Sequence, residues 1–251
     1  MPNVIYHIFL ACILLSIACT PDPDETPEDP ETPVNNAELP AAFDNFTEDV
    51  SVYVDGSFVV IESNGIPNHK SPYFANGSDQ YEAYNGTNAD FRLNPNRISE
   101  QNLVFRIPLN PSEASTKTST AMGAMGVSVN GIPLFNQYAA GNAPLTNEIN
   151  SFDQYNGHPQ NTGQYHYHIE PLFLTTNRGK SALVGYLLDG FPVYGPEEDG
   201  KILTNSDLDD YHGHSHVTPE YPEGVYHYHF TDAAPYLNGG QFFGSPGTVS
   251  R

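Results

Sequence analysis

The sequence predicts an all-β protein: a compact sandwich- or barrel-like domain with an internal pseudo-twofold duplication. Three observations predict it. Long stretches with the 3.6-residue period of an amphipathic helix are missing. Gly, Pro and Asn recur at short intervals with Tyr, Phe, Val and Ile between them, the pattern of short strands joined by tight turns. The tetrapeptide Tyr-His-Tyr-His occurs twice, at 165–168 and 226–229, each time opened by Gly-x.

Taken in order, residues 1–18 contain the apolar run Val4 to Ala18, too short for a membrane span and ending before Cys19 as a secretory signal does. The small residue and cysteine resemble the lipobox of bacterial lipoproteins, which implies a lipid on Cys19, although the leading Met1-Pro2-Asn3 lacks the usual positive charge. Residues 19–40 form an acidic, Pro-rich tether; positions 20–40 hold seven of the chain's 30 acidic residues and no basic one, so they cannot bury a core. The expected location is the cell envelope, as an outer-membrane lipoprotein facing the surface or the periplasm. Residues 41–251 form the folded β domain.

Within it, Asp49 to Ser63 reads as two strands joined at Asp55-Gly56, a dipeptide favoured by the type I′ hairpin turn. The turn pattern Asn/Asp-Gly-apolar-Pro follows strand-like runs at Asn64, Asn130 and Asp189. The last two turns begin matching series: turn, Gly-His (157–158, then 213–214), and Tyr-His-Tyr-His. The turns lie 59 residues apart and the tetrapeptides 61. This predicts two similar halves, roughly 127–171 and 185–236.

Composition narrows the chemistry. Of two cysteines, Cys12 leaves with the signal and Cys19 is the lipidation site, so disulfides, thiolate metal sites and cysteine nucleophiles are excluded. Nine Lys and Arg against a net charge of −21 exclude nucleic acid as a partner. On an extended strand alternate side chains share a face, so each tetrapeptide presents two imidazoles one way and two phenols the other. Paired imidazoles suit a transition metal, zinc or copper, and the expected ligands are His158, His166, His168, His214, His227 and His229. Two arrangements are open: an open three-nitrogen site in each half, or one closed four-nitrogen site joining His166, His168, His227 and His229 across the pseudo-twofold axis. Tyr165, Tyr167, Tyr226 and Tyr228 are expected to be core or interface groups rather than ligands. His212 and His216 are either further ligands or solvated loop residues. Asp189, Asp207, Asp209, Asp210 and Glu170 are candidates to orient imidazoles, or ordinary turn and surface carboxylates. His69 is expected to be incidental.

The two tetrapeptides, with Ser63-Asn64-Gly65-Ile66-Pro67, Asn156-Gly157-His158-Pro159, Leu188 to Gly195, Thr218 to Gly224 and Pro235-Tyr236, resemble the YHYH domain family of secreted or lipid-anchored proteins over most of residues 61–246. Gly240-Gln241-Phe242 stands where relatives tend to carry Gly-Cys-Phe, so no thiolate role is available there. The resemblance implies fold kinship, and no reaction. Three functions remain: a surface lipoprotein that binds a transition metal, a metal-dependent hydrolase or oxidase with a three-histidine site, and an adhesive or glycan-binding module. No Gly-x-Ser-x-Gly, His-Glu-x-x-His or P-loop pattern is present, and neither the substrate nor whether the chain is catalytic follows from the residues.

Overall fold

A computed structural model describes residues 38–251. The segment expected as a signal, Cys19 and most of the expected tether lie outside the described residues. In chain order the strands are β1 (Ser51–Asp55), β2 (Phe58–Ser63), β3 (Leu103–Pro108), β4 (Ala124–Ser128), β5 (Pro133–Phe135), β6 (Tyr138–Ala139), β7 (Ala143–Pro144), β8 (Gly157–Pro159) and β9 (Tyr165–Tyr167). After a short helix, α1 (Leu172–Arg178), come β10 (Leu183–Leu187), β11 (Pro192–Tyr194), β12 (Glu197–Glu198), β13 (Lys201–Ile202), β14 (Gly213–His216), β15 (Val225–His229) and β16 (Thr248–Ser250).

The sheets are open, not a closed barrel. A four-stranded sheet has the order β1-β2-β3-β16, and an eight-stranded sheet the order β14-β15-β11-β10-β4-β5-β9-β8. Side chains of both, among them Val59, Ile61, Phe105 and Ile107 from the first and Val127, Leu134, Tyr186 and Val193 from the second, join in one buried cluster, as in a sandwich. β3 alternates buried and half-buried residues, the pattern of a strand with one face on the core, whereas β10 is buried throughout because it lies near the middle of the larger sheet.

The order of the larger sheet reads alike from both edges. β4 and β5 form an antiparallel pair, as do β10 and β11. β9 returns parallel to β5, and β15 parallel to β11. β8 and β14 close the two edges antiparallel to β9 and β15. The halves meet where β4 and β10 pair, with Tyr186 opposite Val127. Each half also carries a small hairpin between its second strand and its edge strand, β6–β7 in one and β12–β13 in the other.

The expected turns at Asn64, Asn130 and Asp189 each place glycine at positive φ, 65° at Gly65, 77° at Gly131 and 85° at Gly190. The first hairpin differs from expectation. Asp55 pairs with Phe58, so Gly56-Ser57 is the loop, and only Gly56 has positive φ (61°). That is the requirement of a type II′ turn, which needs one left-handed residue where type I′ needs two.

Candidate metal centres

In each half the edge pair sets three histidines side by side. His158 lies directly across from His166, and His214 across from His227. His168 and His229 follow two residues later on the same strand face. The result is two separate clusters. Glu148, His158, His166 and His168 present ligand atoms that all lie within 4.8 Å of one another, and so do Glu198, His214, His227 and His229. The four-nitrogen arrangement across the axis is not formed. Four strands separate β9 from β15 in the sheet order, and five strand spacings of about 4.8 Å put them roughly 24 Å apart.

The ring nitrogens divide their work. His168 Nδ1 donates to the Asn136 carbonyl at 2.6 Å, and His229 Nδ1 to the Gly195 carbonyl at 2.7 Å. His166 and His227 donate to the carbonyls of Gln164 (3.2 Å) and Val225 (3.0 Å). His158 Nδ1 donates to Ser151 Oγ at 2.8 Å, whose own proton goes to the Glu148 carbonyl at 2.7 Å. A neutral imidazole has one N–H, so these bonds leave Nε2 as a bare lone pair.

In the first centre those lone pairs face each other. His166 Nε2 is 3.1 Å from His158 Nε2 and 3.0 Å from His168 Nε2, and Glu148 Oε1 is 3.2 Å from His158 Nε2. In the second centre Glu198 occupies the focus: its Oε1 is 3.1 Å from His227 Nε2 and 3.7 Å from His229 Nε2, and its Oε2 is 3.1 Å from His214 Nε2. His229 Nε2 is buried with no hydrogen-bond partner. Donors bound to one ion at about 2.0–2.1 Å stand roughly 3–3.4 Å apart, so the 3.0–3.2 Å contacts of the first centre have the spacing of ligands around a shared cation, and the second is looser, with His229 3.7 Å from Glu198.

Electrostatics point the same way. Burial pushes His166 well below the ordinary imidazole range, with the neighbouring His158 and His168 adding to it. Burial likewise pushes His168 and His229 down to about 4. Burial alone would raise Glu148, but His158, which can hydrogen-bond it through Nε2 when doubly protonated, and the charge His158 and His168 would then carry outweigh burial and hold the carboxylate below its usual range. Glu198 is held down in the same manner by His214, His227 and His229 against its own burial. Neutral imidazoles, as burial favours at His166, His168, His227 and His229, and an ionised carboxylate are the protonation states a metal requires.

The opposite strand face fixes these clusters in place. Tyr165 donates to Asp153 Oδ2 at 2.8 Å and Tyr226 to Asp209 Oδ1 at 3.0 Å. Tyr228 donates to Asp189 Oδ2 at 2.6 Å; its counterpart Tyr167 accepts from Asn130 Nδ2 at 3.4 Å and meets His69 Nε2 at 3.0 Å. All four phenols are buried, as expected. The glycine of each Gly-His pair has a steric role, since a Cβ on Gly157 would lie 2.3 Å from the Tyr165 ring and one on Gly213 2.5 Å from the Tyr226 hydroxyl.

The structure decides between the alternatives left open by the sequence. Asp189 and Asp209 anchor tyrosines and orient no imidazole. Asp207 pairs with Lys201 and caps the turn at Thr204, Asp210 is exposed, and the Glu170 carbonyl accepts from Asn156. His212 is a buried turn residue at φ 73°, with Nδ1 on the His229 carbonyl and Nε2 between Thr231 and Asn205, so it is no ligand. His216 lies beside Glu198 (3.3 Å) outside the second cluster. His69 is not incidental: it is buried and bonded to Tyr167.

Glu148 and Glu198 were not among the expected ligands. Glu148 begins a 3-10 helix after the small hairpin, 18 residues past Asn130, whereas Glu198 lies within the small hairpin, nine residues past Asp189. The carboxylates therefore do not align between the halves, and a search for repeated acids misses both.

Each centre opens to solvent through a cavity. The first lies under a cleft of about 640 Å³ bordered by Asn94, Asn161, Met122, Tyr138 and Arg251, and the second under one of about 280 Å³ bordered by Tyr194, Glu197, Asp199 and Val217.

An open all-β sandwich holding two histidine–carboxylate clusters, each built on a Tyr-His-Tyr-His strand, defines the class. The chain belongs to the YHYH protein family: the family profile matches residues 104–200 and 196–240, more than half of the chain. No curated protein and no solved structure matches it.

Proposed function

We propose that this protein binds transition-metal ions, zinc or copper, at two centres, and is held in the cell envelope by a lipid on Cys19. The observation that carries the metal reading is the convergence of bare Nε2 lone pairs whose Nδ1 protons are already committed to backbone and hydroxyl acceptors. Without a cation such lone pairs repel one another. Three imidazoles and one carboxylate suit zinc and copper equally. The matched strand order and matched histidine anchors support descent of the two halves from one duplicated unit. Burial of the motif tyrosines weighs against a tyrosine-built glycan platform.

The test is elemental analysis of fragment 38–251 purified without chelators. Two equivalents of zinc or copper per chain are expected, with one in H166A/H168A, one in H227A/H229A and none when all four are changed in a folded protein. No metal after incubation with either ion, or metal retained by the fourfold variant, overturns the reading. For the anchor, Cys19→Ala in the full chain should move it from the membrane to the soluble fraction; unchanged membrane association counts against lipidation.

A second reading, a metal-dependent hydrolase or oxidase, is favoured by one feature, the cleft over the first centre, which leaves room for a reactant. It is tested by assaying the loaded chain, and its H166A/H168A variant, on ester and phenol panels.

A further inference from the structure

The two centres share their histidine geometry but open into clefts of opposite character. Around the second, Glu197 and Asp199 border the cavity beside the ligand Glu198. Around the first, the only acidic side chain among the described lining residues is the ligand Glu148, and Arg251 stands at the wall with its guanidinium donating to Gln164 Oε1 at 2.7 Å. The rest of that wall mixes amides, such as Asn161 and Gln160, with the apolar Met122 and Phe135.

Charge accounting separates the sites. A divalent ion on three neutral imidazoles and one carboxylate leaves a centre of net charge +1. Next to Arg251 that centre attracts an anion, while Glu197 and Asp199 make the surroundings of the second centre net negative. The cleft of about 640 Å³ is within the usual size of small-molecule sites, about 300–1,000 Å³.

We infer that the first centre is a ligand-binding site for a small anionic molecule, which would coordinate the metal at Glu148, His158, His166 and His168 and pair with Arg251, whereas the second centre excludes anions. This rests on the metal reading above. The ligand class is an organic anion carrying an oxygen donor and an apolar body, matching the amide and apolar walls.

The experiment loads the chain with copper(II), measures copper in each variant, then titrates azide as an anionic probe and follows the ligand-to-metal charge-transfer absorption. H227A/H229A keeps only the first centre and should bind azide; H166A/H168A keeps only the second and should show at least about tenfold weaker binding. R251E, at an exposed position where folding is not at risk, should weaken azide binding at least about threefold in the first centre, an effect that fades as salt is raised. Equal azide affinity at both centres, or an R251E protein that binds like the parent, overturns the inference while leaving metal binding intact. Absence of copper from every variant overturns both together.

Discussion

Lowering the pH from 7.5 to 5 should destabilise the metal-free domain, and the structure gives the size of the effect. His168 and His229 are held at about 4 in the folded chain against an ordinary 6.5, so the unfolded chain binds more protons between those values. Their contribution is fully present above about 6.5 and is lost as the pH falls toward about 4. At pH 5 each imidazole costs about 2 kcal/mol, about 4 kcal/mol together. His166 and His227, also pushed down by burial, act in the same direction. Asp189 opposes them. Burial raises it to about 6 from 3.8, so its stabilisation grows on protonation and returns about 1.5 kcal/mol over the same interval. The loss from these three groups is about 2.5 kcal/mol, which at an m-value near 2 kcal/mol/M moves the urea midpoint down by about 1 M, with Asp153, also raised by burial, opposing it. Urea denaturation followed by circular dichroism in chelator at the two pH values measures it. A midpoint that stays level or rises at pH 5 refutes the claim that these imidazoles are neutral because they are buried.

Asp189→Asn should keep the Tyr228 bond, as Asn130 stands at the matching place in the other half, and should steepen the pH 7.5-to-5 loss toward about 4 kcal/mol; an unchanged slope in the same urea assay contradicts this. Tyr165→Phe removes one donor from the buried Asp153 and should cost about 1–3 kcal/mol, read as a shift in thermal midpoint. Saturating metal, at about 100 times its dissociation constant, should add about 2.7 kcal/mol per site, some 5–10 °C, and a chelator should reverse it in calorimetry. Glu148→Gln and Glu198→Gln should each weaken one metal equivalent by at least about tenfold in competition titrations and leave the other unchanged.

Much of this was legible in the sequence because strand alternation and spacing are local facts. The period of two predicts histidines on one face of each Tyr-His-Tyr-His strand and tyrosines on the other, and the Gly-His dipeptide marks the neighbouring strand that brings the third imidazole. What sequence could not settle is which strands lie together. Whether His166 meets His158 or His227 depends on the order of eight strands, and β4, β5, β10 and β11 intervene between the tetrapeptides. Glu148 and Glu198 were invisible for a different reason: one reaches its cluster from a 3-10 helix and the other from the small hairpin, at unmatched positions. The role of the aspartates near the histidines stayed open because proximity in sequence says nothing about strand face, and Asp189 and Asp209 lie on the side of the phenols.

The most direct test of two histidine–carboxylate centres is the anomalous scattering of a metal-loaded crystal collected at the zinc or copper edge. The account predicts two peaks per chain roughly 24 Å or more apart, one bonded to Nε2 of His158, His166 and His168 with Glu148, the other to Nε2 of His214, His227 and His229 with Glu198. A single peak shared by both tetrapeptides, ligation through Nδ1, or no peak at these histidines contradicts it.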